Sequence, residues 1–201
     1  MESAEKLGPW VAWVDGVGGF LLYFDDQVSL GSSEGRGAAQ LAITADIQPH
    51  HATIVRQDEW YLVGGPGPIA INGRKLEGWC VLTNGAELRL GTSVRLRFVR
   101  PNSLSNSGRL ELLSAHRTLP RSRAVILMGN VCILGAGEGA HIPVTHWSQE
   151  VVLYRKENNI WIRTGSEFTI NEVKFQLRAP LAVPCRVIGP DFSFALEPLR
   201  R

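Results

Sequence analysis

The chain has 201 residues, enough for one large domain or two small ones, with 44% hydrophobic and 20% charged residues. Its formal net charge of +2 supplies no overall electrostatic drive toward nucleic acid or a membrane surface. Residues 1–100 carry nine Lys/Arg against eleven Asp/Glu, and residues 101–201 twelve against eight, an asymmetry too small to indicate a partner.

The opening MESAEKLGPW is acidic at its start and lacks the apolar stretch of a signal peptide. No apolar run reaches the roughly 20 residues that a membrane helix needs. Cys80, Cys132 and Cys185 are odd in number, far apart, and set in or beside apolar segments, which predicts reduced thiols in a cytoplasmic protein. With no CxxC pair and no Cys/His cluster at zinc spacing, no metal and no cofactor is expected.

Helical periodicity is nearly absent along the chain. The segments VAWV, FLLYF, QVSL, QLAIT, HATIV, WYLV, CVL, ELRL and VRLRFV are short, rich in β-branched and aromatic residues, and bounded by Gly, Pro, Asn or Asp. That pattern predicts an all-β chain. Asp15-Gly16 is a hairpin signal. In VRLRFV the alternation sends Val94, Leu96 and Phe98 to a core and leaves Arg95 and Arg97 in water.

The second half repeats the order of the first at an offset of about 100 residues, the mark of an internal repeat. RLELLSAHR stands where WVAWV opens the first half. AVILMGNVCILGAGEGAHIPVT then parallels FLLYFDDQVSLGSSEGRGAAQLAIT, and EVVLYRKENNIWIR parallels HATIVRQDEWYLV. In this alignment Trp161 takes the place of Trp60, Asn171 that of Asn72, and Gly189 that of Gly91. The expected division is one sandwich over 1–101, a polar linker over 102–107, and a second sandwich over 108–201. Trp60 and Trp161 are expected in the cores. Trp79 and one of Trp10 and Trp13 are candidates for exposure, where aromatic residues anchor partners.

Four motifs follow one another in the first half: LGSSEGRG, IQPHHATI, AINGRKL and NGAELRLG. Together they resemble a forkhead-associated (FHA) domain, and the chain reads as two tandem FHA-like β-sandwiches. The resemblance implies a noncatalytic binding module that reads phosphothreonine. In that family an arginine after the strand-ending glycine contacts phosphate; here Ser32 follows Gly31, and Arg36 lies four residues further on. The family's phosphate-binding serine is replaced by Gln48, whereas His51 and Ala52 match, the histidine as an internal brace of the loops. Of two asparagine turns only the second survives, as Asn72-Gly73, with Gly67-Pro68-Ile69 at the first. Ser32, Arg36, Gln48 and Asn72 are therefore the candidate phosphopeptide-binding residues.

A charge-assisted bond to phosphate contributes about 1.5–3 kcal/mol, so two lost contacts weaken a binder by two to four powers of ten. The second half departs further: Ala136 follows Leu134-Gly135, Val151 stands in the place of the histidine, and Glu172 follows Asn171. GAGEGAH over 135–141 lacks the Gly-Lys-Ser/Thr and the helix of a nucleotide loop and reads as an interstrand loop, with His141 and His146 at the surface. Arg95, Arg97, Arg100, Arg117, Arg121 and Arg123 lack interleaved aromatics and read as solvated strand faces. The expected function is a protein–protein interaction or signalling module whose phosphate dependence is weak or lost. Its partner is a protein or phosphoprotein, not nucleic acid, membrane or a small-molecule cofactor. The alternative is a phosphothreonine reader in Ser/Thr kinase signalling. No catalytic constellation supports an enzyme.

Overall fold

Runs of branched and aromatic residues that cannot bury themselves locally must pair across the chain. A computed structural model, which describes residues 7–34 and 39–200, shows how they do so. The described chain is all-β. In chain order the strands are β1 (Trp10–Val14), β2 (Gly18–Tyr23), β3 (Gln27–Ser32), β4 (Leu41–Thr44), β5 (Ala52–Gln57) and β6 (Trp60–Gly64). There follow β7 (Ile69–Ile71), β8 (Arg74–Lys75), β9 (Cys80–Val81), β10 (Glu87–Leu90) and β11 (Val94–Val99). After these come β12 (Gly108–Leu112), β13 (Arg117–Leu119), β14 (Ala124–Leu127), β15 (Val131–Gly135) and β16 (Ile142–Pro143). The last are β17 (Val151–Lys156), β18 (Asn159–Ile170), β19 (Val173–Leu181), β20 (Cys185–Ile188) and β21 (Ser193–Pro198).

The strands gather into two compact units, one made of residues 25–100 and 109–125, the other of residues up to 24, 101–108 and from 126 onward. In the first of these, here the inner unit, β12-β11-β10-β7-β8 form one layer and β13-β4-β3-β5-β6-β9 the other. Strand β11 buries Val94, Leu96 and Phe98 and exposes Arg95 and Arg97, the alternation read from the sequence. Facing them are Leu30, Leu41, Ile43, Ile54 and Val63, all fully buried. Tyr61 on β6 meets Phe98 on β11 with ring centroids 4.9 Å apart, which ties the two layers together. Such a pair contributes about 1 kcal/mol beyond its buried area.

In the other, outer unit the ladder runs β16-β15-β17-β18-β20-β21-β1-β2, with β19 also paired to β18. Strand β18 serves two neighbourhoods. Its first half pairs β17 and its last residues pair β20, and the register against β19 shifts between Arg163 and Glu167. A bulge of this kind lets one strand bend between layers. Trp147 packs on Phe192 and Phe194 at 5.6 and 6.3 Å.

The same pairing pattern recurs in both units. Leu30 pairs Leu41 in parallel and Ala52 antiparallel; Leu134 likewise pairs Ile142 and Val151. Asn72 Oδ1 accepts from Glu87 N–H at 2.9 Å, and Asn171 Oδ1 accepts from Arg186 N–H at 2.9 Å. Both asparagines sit at positive φ, +50° and +46°, a conformation that asparagine tolerates better than most residues.

The compact units differ from the division at 1–101 and 108–201, and strand closure is the reason. The opening strand β1 pairs β21, from Trp10 opposite Pro198 to Val14 opposite Phe194. The first unit's last strand, β11, is completed by β12, from Leu96 opposite Leu112 to Val99 opposite Arg109. Residues 25–125 thus form an insertion in the outer unit, apart from 101–108. Tyr23 and Met128 mark where the chain leaves and rejoins that unit, and they are joined by a 2.8 Å backbone bond.

The polar linker expected over residues 102–107 is only partly in water, with Ser103 and Leu104 exposed. Ser105 and Ser107 are buried, and Ser107 Oγ donates to Val131 O at 2.6 Å. His141, expected at the surface, is fully buried: Ile133 N–H donates to its Nδ1 at 3.0 Å. That leaves Nε2–H to donate to Ser105 Oγ at 2.8 Å. Trp60, expected in a core, is 60% exposed, because it opens β6 directly after a turn. Of the first pair, Trp10 is buried and Trp13 is 39% exposed, its indole N–H donating to Glu197 at 3.0 Å.

A fragment ending at residue 101 lacks β12 and carries β1 without β21. Expressed alone, it should give a poorly dispersed amide spectrum and no cooperative melt. A fragment over 25–125 should unfold cooperatively in the same assay.

Candidate functional site

The loops that follow β3, β4, β6 and β10 meet around one side chain. His51 is 2% exposed, and its backbone is tied to β3 by the His51 N–H bond to Leu30 O at 2.9 Å. Gln48 N–H donates to Nδ1 at 3.3 Å, so the proton rests on Nε2, which donates to Pro68 O at 2.9 Å. Gly91 N–H lies 3.0 Å from the same Nε2 and 2.9 Å from Pro68 O, and with Nε2 protonated the carbonyl is its acceptor. Gly67 packs on the ring so closely that a Cβ there would lie 2.5 Å from it. Gly31 does the same for the next loop, where a Cβ would lie 1.9 Å from Pro49 O. Four loops are therefore locked by one neutral imidazole and two glycines.

The candidate phosphate contacts fall in different places around this lock. Ser32 is 5% exposed; its hydroxyl donates to Ala45 O at 3.2 Å and accepts from Glu34 N–H at 3.1 Å. Gln48 is exposed at the side chain, while its backbone O accepts from Ser32 N–H at 3.0 Å. Ser32, Gln48 and His51 are thus brought together. Asn72 is not with them. It follows β7, whereas Pro68 precedes that strand, a separation of roughly 13 Å at about 3.3 Å per residue. Its Oδ1 is held by Glu87 N–H. Arg36 lies outside the described residues.

The corresponding loops of the outer unit are braced by other chemistry. The ladder places Val151 with Ala52, each opposite the strand-ending leucine, so Glu150 and not Val151 stands where His51 does. Asp191, in the loop between β20 and β21, accepts from both the backbone N–H and the hydroxyl of Ser148. Its other oxygen accepts from Gln149 Nε2 at 3.0 Å, and Ser166 Oγ donates to Gln149 Oε1 at 3.0 Å. Hydrogen bonds from the Ser148 side chain, then from Gln149 and the Ser148 backbone, lower the Asp191 pKa to about 2. The sequence carried this only as a serine and an aspartate 43 residues apart, with no motif to join them.

Among the described residues no group of three or more His, Cys, Asp or Glu is placed to hold a metal ion. The thiols are free, and burial pushes that of Cys185 up to about 11, far from a reactive thiolate.

No protein-family model matches this sequence. None of the curated proteins matches it either. Among solved structures it is similar to the N-terminal FHA domain from EssC, a component of the bacterial Type VII secretion apparatus. The two are 10% identical, the match covers 95% of this chain and 93% of that one, and the TM-score is 0.27.

His51→Ala should cost about 2–4 kcal/mol in urea unfolding, since it opens a cavity and strands Gln48 N–H. Asp191 has a lowered pKa, so its contribution is present above the usual carboxylate range and is lost as pH falls toward about 2. Asp191→Asn should accordingly flatten the acid side of the stability curve between pH 4 and 2, followed by tryptophan emission.

Proposed function

We propose that this chain is a noncatalytic protein–protein interaction module on an FHA-like scaffold, working in the reducing cytoplasm with little or no dependence on phosphate. The observation that carries the reading is a pair of tryptophans left in water on one sheet face of the inner unit. Trp60 is 60% exposed, Trp79 is 55% exposed, and Val81 is 39% exposed. The register puts Val81 opposite Leu62, and Trp79 lies over Gly64, where a Cβ would meet its ring at 2.6 Å. Trp60, Leu62 and Gly64 alternate along β6, so these side chains share one face. Large aromatics in water are costly alone and are the usual anchors of interfaces.

The weak phosphate dependence is supported by what the candidate contacts already do. The Ser32 hydroxyl is engaged between Ala45 O and Glu34 N–H, and Asn72 Oδ1 is engaged by Glu87 N–H. Turning either toward a ligand would cost a bond that the fold uses, about 1 kcal/mol for a neutral one.

The full chain, immobilised, should retain the same partner from lysate before and after phosphatase treatment, and Trp60→Ser/Trp79→Ser should lose it. A partner lost on dephosphorylation, together with a phosphothreonine peptide bound more tightly than its unphosphorylated twin, would move the assignment to a phosphothreonine reader.

A further inference from the structure

The outer unit presents the corresponding sheet face with different chemistry. On β17 the outward residues are Val152, Tyr154 and Lys156; on β18 they are Trp161 and Arg163; on β19 they are Arg178 and Pro180. The register aligns them in two rows. Val152 pairs Arg163, which pairs Arg178; Tyr154 pairs Trp161, which pairs Pro180. Val152, Tyr154 and Trp161 are half-buried, and Lys156, Arg163, Arg178 and Pro180 are exposed. The Tyr154 and Trp161 ring centroids are 6.5 Å apart, and Lys156 Nζ lies 4.8 Å from the Trp161 ring.

Two features mark this face as unfinished. Arg163 and Arg178 stand directly opposite each other, an arrangement of like charges that destabilises a sheet. Among the described residues neither guanidinium forms a hydrogen bond or ion pair. No Asp or Glu stands in either row to offset them. Elsewhere arginines with a carboxylate in reach have taken it, as Arg109 does with Glu111 at 2.7 Å and Arg186 with Asp15 at 2.6 Å.

We propose that this face docks an acidic protein segment, with the paired guanidinium groups of Arg163 and Arg178 clamping carboxylates and Tyr154 and Trp161 receiving an adjacent apolar side chain. The inference rests on the reading of the chain as an interaction module and names the partner's chemistry. Charge complementarity fixes the occupant. Guanidinium forks match carboxylates two bonds at a time, and Trp, Tyr and Arg together are the residues that dominate protein interfaces. A nucleic acid strand fits less well, because the Trp161 ring already carries the Lys156 ammonium where a base would stack. Against a membrane, the half-buried rings leave no deep apolar wedge for the acyl layer.

The test uses the full chain and a labelled short peptide of glutamates around a central leucine, followed by fluorescence anisotropy. A glutamine-for-glutamate peptide and an oligothymidine serve as competing probes. The wild-type chain should bind the glutamate peptide, with affinity falling as salt rises. Arg163→Ser/Arg178→Ser should lose at least about tenfold, as expected for removing desolvated charge contacts. Arg89→Ser/Arg97→Ser, on the inner unit, should leave binding unchanged. Circular dichroism melts check that each variant folds. The proposal is overturned by no binding of the glutamate peptide, by equal binding of the glutamine peptide, by an unaffected double variant, or by tighter binding of oligothymidine. If a lysate partner is captured equally by wild type and by Arg163→Ser/Arg178→Ser, the interaction reading stands and this face falls. If no partner is captured while the glutamate peptide still binds through the two arginines, the face stands and the broader reading loses its support.

Discussion

Sheet closure by strands distant in sequence is the constraint on which the rest of this molecule depends. A strand at a sheet edge exposes a row of unpaired backbone groups, and pairing it removes a template for aggregation. Here β11 meets β12 and β1 meets β21, so each unit is completed by a strand from the other side of the repeat boundary. Everything read as a site depends on these closures. The loops held by His51 spring from strands of the inner unit, and the loops held by Asp191 from strands of the outer one.

One loop architecture is braced in two ways. In the inner unit a buried neutral imidazole both donates and accepts, holding the Gln48 and Pro68 segments to a single ring, with Gly91 N–H bound to Pro68 O beside it. In the outer unit a partly exposed carboxylate only accepts, so its partners must be donors: the Ser148 N–H and hydroxyl and the Gln149 amide. The second brace works by charge and the first by shape and burial. Their surroundings differ to match, with glycines crowding the imidazole and an aromatic cluster of Trp147, Phe192 and Phe194 beside the carboxylate.

Much of the fold was legible because period-two alternation and turn residues are local signals. The buried face of β11 and the paired asparagines Asn72 and Asn171 were readable in this way. The exchange of closing strands was not, since a sequence repeat gives likeness and not partnership. β12 resembles β1 whichever neighbour it joins. One-residue offsets were also hidden. Val151 looked equivalent to His51 until the ladder showed it beside Ala52, and Trp60 looked like a core residue until the turn before β6 placed it in water. At the loop cluster, His51 was readable from its motif. The engagement of Ser32 and Asn72 with backbone groups was not, because hydrogen-bond partners 13 and 15 residues away leave no local pattern.

The insertion of residues 25–125 between β2 and β14 also sets the order in which the molecule can form during synthesis. The inner unit has all its strands once β13 has left the ribosome, and it can fold while the rest of the chain is still being made. The opening hairpin has no such option: β1 must wait for β21, which begins at Ser193. At about 5–20 residues per second that wait lasts roughly 10–40 s, during which the β1 edge of an apolar hairpin stays unpaired. Strand β1 is thus made long before its partner β21, and its open edge must stay shielded over that interval.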